Sequence, residues 1–216
     1  MPPGDCALPK FREAGASAAD AVALVNAEAD QILARLAKYD PATALYSRRV
    51  ATWSGNIARA MGRSPDEIAF AERCGLLHDV GKLLTPLSLL RKTGPLTARQ
   101  WTRMQDHVTD GAELLGSIAV LAPYVDIVLA HHERFDGSGY PRGLAGEAIP
   151  LDARIVAVAD AFDAMISGRP YREVIRPVQA LEELARSRGS QFDPVVVDAL
   201  IARIKPPRPA PQEKQK

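Results

Sequence analysis

Between about residue 17 and residue 204, apolar residues recur every three or four positions, and the runs are broken at proline, glycine and capping residues. Ser17 can cap a helix reaching about Tyr39, with Val22, Val25, Ala29, Ile32, Leu33 and Leu36 as its apolar stripe. Asp40 and Pro41 open a second helix ending near Gly62, with Val50, Trp53, Ile57 and Met61 facing inward. Ser64-Pro65-Asp66-Glu67 is a helix-start signature, and the helix it begins delivers His78 and Asp79 at its C-terminal end.

Thr97-Ala98-Arg99-Gln100 reads as a capping box, which puts His107 on the helix that follows. A helix from about Pro123 brings up His131 and His132. Residues 133–150, with Gly137, Gly139, Gly143 and Gly146, form a loop whose length inside a compact domain points to function. Pro150 starts a helix carrying Asp160, Pro177 another, and Asp193-Pro194 the last. No strand alternation and no internal repeat is present, so the expectation is an all-α domain over residues 17–204. Residues 1–16 should be a flexible arm and residues 205–216, rich in Pro, Lys and Gln, a disordered tail.

Composition narrows the functional classes. A chain of 216 residues, 47% hydrophobic and 25% charged, supports one domain with a sizeable core. With 27 Lys and Arg against 26 Asp and Glu, no global field recruits a nucleic-acid polymer. Neither a membrane-length apolar run nor a signal-peptide core is visible, so the expected location is the cytoplasm. Cys6 and Cys74 are too few to imply a disulfide framework.

The candidate chemistry centres on His131-His132-Glu133-Arg134-Phe135-Asp136-Gly137-Ser138-Gly139-Tyr140-Pro141, where paired imidazoles run into a glycine-punctuated loop. Imidazole pairs suit a borderline transition metal. The other two histidines are His107 and His78, the latter followed at once by Asp79. Singly, each motif has an ordinary explanation: a polar helix end, or a hydrogen-bonded boundary residue. Asp160 is harder to explain that way. It sits in a helix apolar nearly all round, where an ionised carboxylate needs a compensating cation. A metal is one such cation; Arg154 or Arg169 is the rival. All six groups fall within 83 positions, and together they match a two-metal hydrolytic site with one bridging carboxylate.

These motifs resemble the HD-GYP family, a subgroup of the HD-domain metal-dependent phosphohydrolases. The matching segments are residues 76–82, Gly94-Pro95-Leu96-Thr97, His107, residues 131–150, residues 158–165, Arg169-Pro170-Tyr171-Arg172 and Gln191-Phe192-Asp193-Pro194. The likeness covers roughly residues 33–204. It implies a helical bundle with a long Gly-rich loop that hydrolyses cyclic di-GMP to pGpG or GMP, using two divalent ions, iron or manganese. By the same resemblance His78, Asp79 and Asp160 hold one ion, and Asp79 bridges to a second held by His107, His131 and His132. Lys82 steadies the phosphate or assists the leaving oxygen, and Tyr140, Arg169 and Arg172 contact the nucleotide. Lys82 read alone could be a solvated lysine, and Tyr140 a packed loop aromatic. The arginines could instead pair with Glu173 or Asp163, while Arg134 and Asp136 look loop-fixing. Diguanylate cyclase (GGDEF) domains are the partners the resemblance suggests, through the Gly-Tyr-Pro loop. Because neither a receiver nor a sensor segment is evident, the input signal is expected from a separate protein or from expression level.

The sequence departs from the family pattern in one place. A metal-binding His, often with a Glu one turn earlier, belongs to the segment matching residues 39–50, where this chain has Tyr46 and Ala42. A neutral phenol is a poor ligand, although a phenolate binds ferric iron; Tyr46 as a packing residue with its hydroxyl bonded to a neighbour is the competing reading. The departure predicts a weakened first site and an enzyme with reduced activity. Its rival is a catalytically degenerate domain that binds a nucleotide or a protein partner.

Overall fold

The computed structural model describes residues 17–167 and 174–204; the expected arm and tail, and the candidate residues Arg169 and Arg172, lie outside the described residues. Local chemistry sets most helix starts. Helix α1 (Ala18–Tyr39) begins with a capping box between Ser17 and Asp20. At the start of α2 (Pro41–Ala60), the Asp40 carboxylate accepts from the Thr43 amide. A Ser64–Glu67 box opens α3 (Pro65–Leu77), and proline holds the first position of both α2 and α3. Short helix α4 (Leu87–Leu90) precedes α5 (Ala98–Gln105), which is capped by the Thr97–Gln100 box.

Two expectations need correction. The helix capped by Thr97 does not run through His107: it breaks at Asp106, and His107 is the first residue of a new helix, α6 (His107–Gly116). Nor does an α-helix start at Pro123, which lies inside a 3-10 segment, Ala119–Tyr124, that leads into α7 (Val125–Ala130). Helices α8 (Leu151–Ile166), α9 (Pro177–Arg186) and α10 (Pro194–Ile204) complete the described residues. No strand occurs among the described residues, and Arg188 and Phe192 make an isolated bridge. None of the described helices is long and apolar enough to cross a membrane.

Helices α2, α3 and α8 pack together around a core that includes Ile57, Leu77, Leu115, Leu121, Ile155 and Phe162. Trp53 on α2 meets Phe162 on α8 edge to face, with ring centroids 4.8 Å apart. Burying an aromatic of that size stabilises the fold by about 3–5 kcal/mol relative to alanine. Val22, assigned to the inward stripe of α1, is 43% exposed, so the buried stripe of α1 runs from Ala29 to Leu36. The core therefore grips the C-terminal part of α1 and fixes the three helices whose ends and faces carry the polar cluster.

Candidate metal centre

Six candidate side chains converge at helix ends and on one face of α8. His78 caps the C-terminus of α3, and Asp79 begins a 3-10 segment, Val80–Leu84. That segment presses on the start of α6 through Gly81, where a Cβ would stand 1.9 Å from the His107 carbonyl oxygen. Only glycine permits this approach, and the approach brings Asp79 and His107 together. His131 caps α7, and His132 follows it.

Three imidazoles are oriented by the main chain. His78 Nδ1 lies 2.7 Å from the Gly75 carbonyl oxygen, His107 Nδ1 2.6 Å from that of Met104, and His131 Nδ1 2.6 Å from that of Val128. Each Nδ1–H therefore donates to the carbonyl three residues earlier, which leaves the Nε2 lone pair pointing outward. Among the described residues, His107, His131 and His132 have ligand atoms all within 4.8 Å of one another. The Nε2 atoms of His107 and His131 are 3.4 Å apart.

Asp79 sits between the imidazoles. Its Oδ1 is 3.4 Å from His107 Nε2, its Oδ2 3.2 Å from His78 Nε2, and Lys82 Nζ donates to Oδ2 at 2.6 Å. Burial opposes a charge on Asp79, yet His78, Lys82 and His107 together hold its carboxyl well below the usual range. Burial also opposes protonation of His78, but Asp79 and Asp160 outweigh it and lift the imidazole to about 10. The other three rings go the opposite way. Burial pushes His107 down, burial and the neighbouring imidazoles push His131 well down, and burial takes His132 to about 3. His107, His131 and His132 thus present neutral nitrogen donors beside a buried anion, while the carboxylates favour the protonated form of His78, a proton that a cation bound there would displace.

The donor set fits a divalent cation. His78 Nε2 is buried without a hydrogen bond of acceptable geometry, although Asp79 and Asp160 oxygens lie 3.2 and 3.7 Å away. A ring nitrogen aimed between two carboxylates, with its other nitrogen already committed, has the environment of a metal ligand.

Asp160 is not buried as its apolar helix suggests: its side chain is 18% exposed and accepts from the Tyr46 hydroxyl at 2.5 Å. Arg154, weighed as its counter-ion, pairs instead with Asp193 and donates to the Ile149 carbonyl. Tyr46 is thus both a packed phenol bonded to a neighbour and a component of the cluster.

The loop after His132 is tied down at both limbs. Its Phe135 and Asp136 amides donate to the carbonyls of Gln191 and Ser190 at 3.1 and 2.7 Å. Arg134 and Asp136 pair with each other and with Ser138, the loop-fixing role expected of them. A Cβ on Gly139 would fall 2.3 Å from the Arg134 amide nitrogen, and the Tyr140–Pro141 peptide bond is cis. The Tyr140 ring stacks on His132 at 5.0 Å and 26°. Burial and the Asp79 and Asp160 carboxylates push its phenol up, so it stays neutral.

Two residues with structural roles here were not singled out from sequence. Buried Glu133 accepts from the amides of Arg142 and Leu144 at 2.7 and 3.1 Å, holding the far limb of the loop to the ligand-bearing turn. The only signal was a carboxylate at the root of a loop rich in unpaired amides. Arg49 pairs with Asp163 at 2.9 Å, a contact between residues far apart in sequence that no local pattern announces.

Residues 30–196 match the model of the HD domain. The cyclic di-GMP phosphodiesterase response regulator RpfG of Xanthomonas campestris pv. campestris is 46% identical over 172 residues, 78% of this chain and 46% of that protein. A cyclic di-GMP phosphodiesterase of Thermotoga maritima is 40% identical over 174 residues, 79% of this chain and 47% of that one. The chain therefore spans about half the length of these curated relatives. Among solved structures, the HDG"Y"P protein Bd1817 of Bdellovibrio bacteriovorus superposes with a TM-score of 0.63 at 19% identity, covering 87% of this chain and 64% of that one. The HD domain of the Listeria monocytogenes phosphodiesterase PgpH gives 0.61 at 21% identity, over 80% and 96% of the two chains. At such identities these two likenesses establish the fold.

Proposed function

The chain belongs to the HD-domain family, and on that premise we propose that it is a metal-dependent phosphodiesterase hydrolysing cyclic di-GMP to pGpG or GMP. Membership implies dependence on divalent metal. The observation that carries the reading is the convergence of outward-facing Nε2 atoms, their tautomers set by the main chain, on the Asp79 carboxylate. The names of the Xanthomonas and Thermotoga relatives, 46% and 40% identical, support cyclic di-GMP as the substrate, while a Vibrio cholerae relative at 40% is named for 3′3′-cGAMP.

In this reading His78, Asp79 and Asp160 hold a first divalent ion, and Asp79, His107, His131 and His132 hold a second, iron or manganese in both cases. Bound there, the ions supply an acidified water and positive charge for the phosphoryl oxygens. The protein's part is positional. Asp79 faces both groups of imidazoles, and the Lys82 ammonium beside it can neutralise a phosphoryl oxygen or protonate the departing ribose 3′-oxygen. Tyr140, flat on His132, offers a ring face for a nucleobase at the mouth of the cluster. Arg169 and Arg172 are assigned to the nucleotide, the Gly-Tyr-Pro loop to a diguanylate cyclase (GGDEF) partner, and the protein to the cytoplasm.

Tyr46 supports a second reading, a domain that binds nucleotide or protein without turnover, because the phenol is committed to Asp160. Incubation of manganese-loaded protein with cyclic di-GMP, 3′3′-cGAMP and cyclic di-AMP separates the two. Hydrolysis of cyclic di-GMP in preference to the others is expected. Binding without turnover, with two ions present, favours the degenerate domain.

A further inference from the structure

Helices α2 and α8 are joined by two polar rungs spaced three residues apart on each helix. The first is Tyr46 to Asp160; the second is Arg49 to Asp163. In the first rung the Tyr46 hydroxyl lies 2.5 Å from Asp160 Oδ1 and 2.8 Å from the Asp160 carbonyl oxygen. A phenol has one proton, so both acceptors share it, and one hydroxyl holds the side chain and main chain of the same residue. In the second rung Arg49 Nε donates to Asp163 Oδ2 at 2.9 Å and Oδ1 at 3.1 Å, while Ser167 Oγ donates to Oδ1 at 3.1 Å. The Arg49 guanidinium also stands 5.6 Å from the Tyr46 ring centroid, steadying the phenol from one side.

We propose that Tyr46 is a positioning residue: it supplies no donor atom to the ions but holds Asp160 in the orientation that makes it a ligand of the first site. The proposal rests on the two-metal reading above and says how that site survives without an imidazole on α2. Asp160 reaches the cluster from a partly open face of α8, so its carboxylate is not confined by packing alone. The oxygen gripped by Tyr46 is the one 3.7 Å from His78 Nε2. A carboxylate oxygen has lone pairs enough to accept the phenol and still face a cation. Hydrogen bonds from outside the ligand shell typically contribute 10–100-fold to metal affinity.

The test is titration of the full chain with Mn²⁺ alone, by calorimetry and electron paramagnetic resonance, for wild type, Tyr46→Phe and Asp163→Asn. Unfolding midpoints in chelator monitor any general loss of stability. Wild type should bind two equivalents. Tyr46→Phe should weaken the looser equivalent by roughly 10–100-fold and leave the tighter one unchanged, so that the spin-coupled pair signal gives way to isolated Mn²⁺. Asp163→Asn, which loosens only the supporting rung, should move the looser site the same way by less. Two equivalents bound with unchanged affinities in Tyr46→Phe overturn the positioning role and leave the metal centre standing. A wild-type chain that takes up one equivalent also overturns it, because Asp160 then holds no ion. Failure of wild type to bind Mn²⁺ at all removes both this role and the proposed metal centre.

Discussion

Lys82 Nζ donates to Asp79 Oδ2 at 2.6 Å from the same short 3-10 segment, so the most buried carboxylate of the cluster carries its own cation. The Asp79 side chain is 2% exposed and Lys82 17%, so the pair is largely withdrawn from water. Lys82→Met should destabilise the metal-free protein by about 3 kcal/mol, the lower end of the range for breaking a buried pair because Lys82 reaches solvent. Added Mn²⁺ should restore much of the loss by replacing the missing charge. Unfolding midpoints in chelator and in Mn²⁺ check this, and an equal loss in both conditions refutes it.

Asp79→Asn keeps the shape of the side chain and removes its charge, leaving Lys82 and two imidazoles without their shared anion. Metal content should fall at both sites. Hydrolysis of cyclic di-GMP should drop by more than about 100-fold, beyond the effect of a residue outside the ligand shell. Near wild-type turnover would reduce Asp79 to a helix-end polar residue.

The double replacement His131→Ala, His132→Ala removes two of the three nitrogens whose ligand atoms cluster within 4.8 Å. The second ion should be lost while helical content by circular dichroism stays near wild type. Elemental analysis of purified protein decides the matter, and unchanged metal content defeats the ligand assignment.

Tyr46→His exchanges a phenol that must ionise, with an ordinary pKa of about 10, for a nitrogen donor already neutral at working pH. Occupancy of the first site and turnover should both rise. The smaller ring gives up the bond to Asp160, so a slightly lower unfolding midpoint should accompany the gain. Equal stoichiometry and rate in the two proteins, under the same iron and manganese loading, would show that the first site is not impaired.

Gly81 and Gly94 form a matched pair. A Cβ at Gly81 meets the His107 carbonyl at 1.9 Å and the Gly111 amide nitrogen at 2.5 Å, whereas at Gly94 nothing lies within 4 Å. Gly81→Ala must push α6 away and should cost about 3 kcal/mol or more, together with metal affinity. Gly94→Ala should be neutral or stabilise by up to about 1 kcal/mol. Equal effects at the two positions would contradict the close approach of the 3-10 segment and α6.

Helix starts were legible because their signals are local. Ser17, Ser64 and Thr97 each carry a partner three residues on, and Pro41, Pro65, Pro177 and Pro194 sit at first positions. The break at Asp106 was not, because no proline or glycine marks it; it coincides with the packing of Gly81 against α6. Over five or six residues a 3-10 segment and an α-helix repeat too similarly for apolar spacing to separate them. The site residues stood out by chemical rarity, four histidines in the whole chain. Their supports did not. Glu133 is an ordinary acid until its loop folds back on it, and the partners of Tyr46 and Arg49 lie 114 residues away.

The three imidazoles bonded to main-chain carbonyls three residues before them have a consequence for how this cluster tolerates change. An imidazole steered by a neighbouring carboxylate loses its tautomer whenever that neighbour mutates. Here the steering group is the peptide itself, present whatever side chain occupies Met104 or Val128, provided the turn persists; Gly75 is the exception, because a Cβ there would meet the Ala51 backbone at 2.8 Å. Drift in the surrounding sequence can therefore alter access, charge and partner choice at the mouth of the cluster without unsetting the direction of its nitrogen lone pairs. The hardware is heritable through the backbone, and diversification is left to the rim.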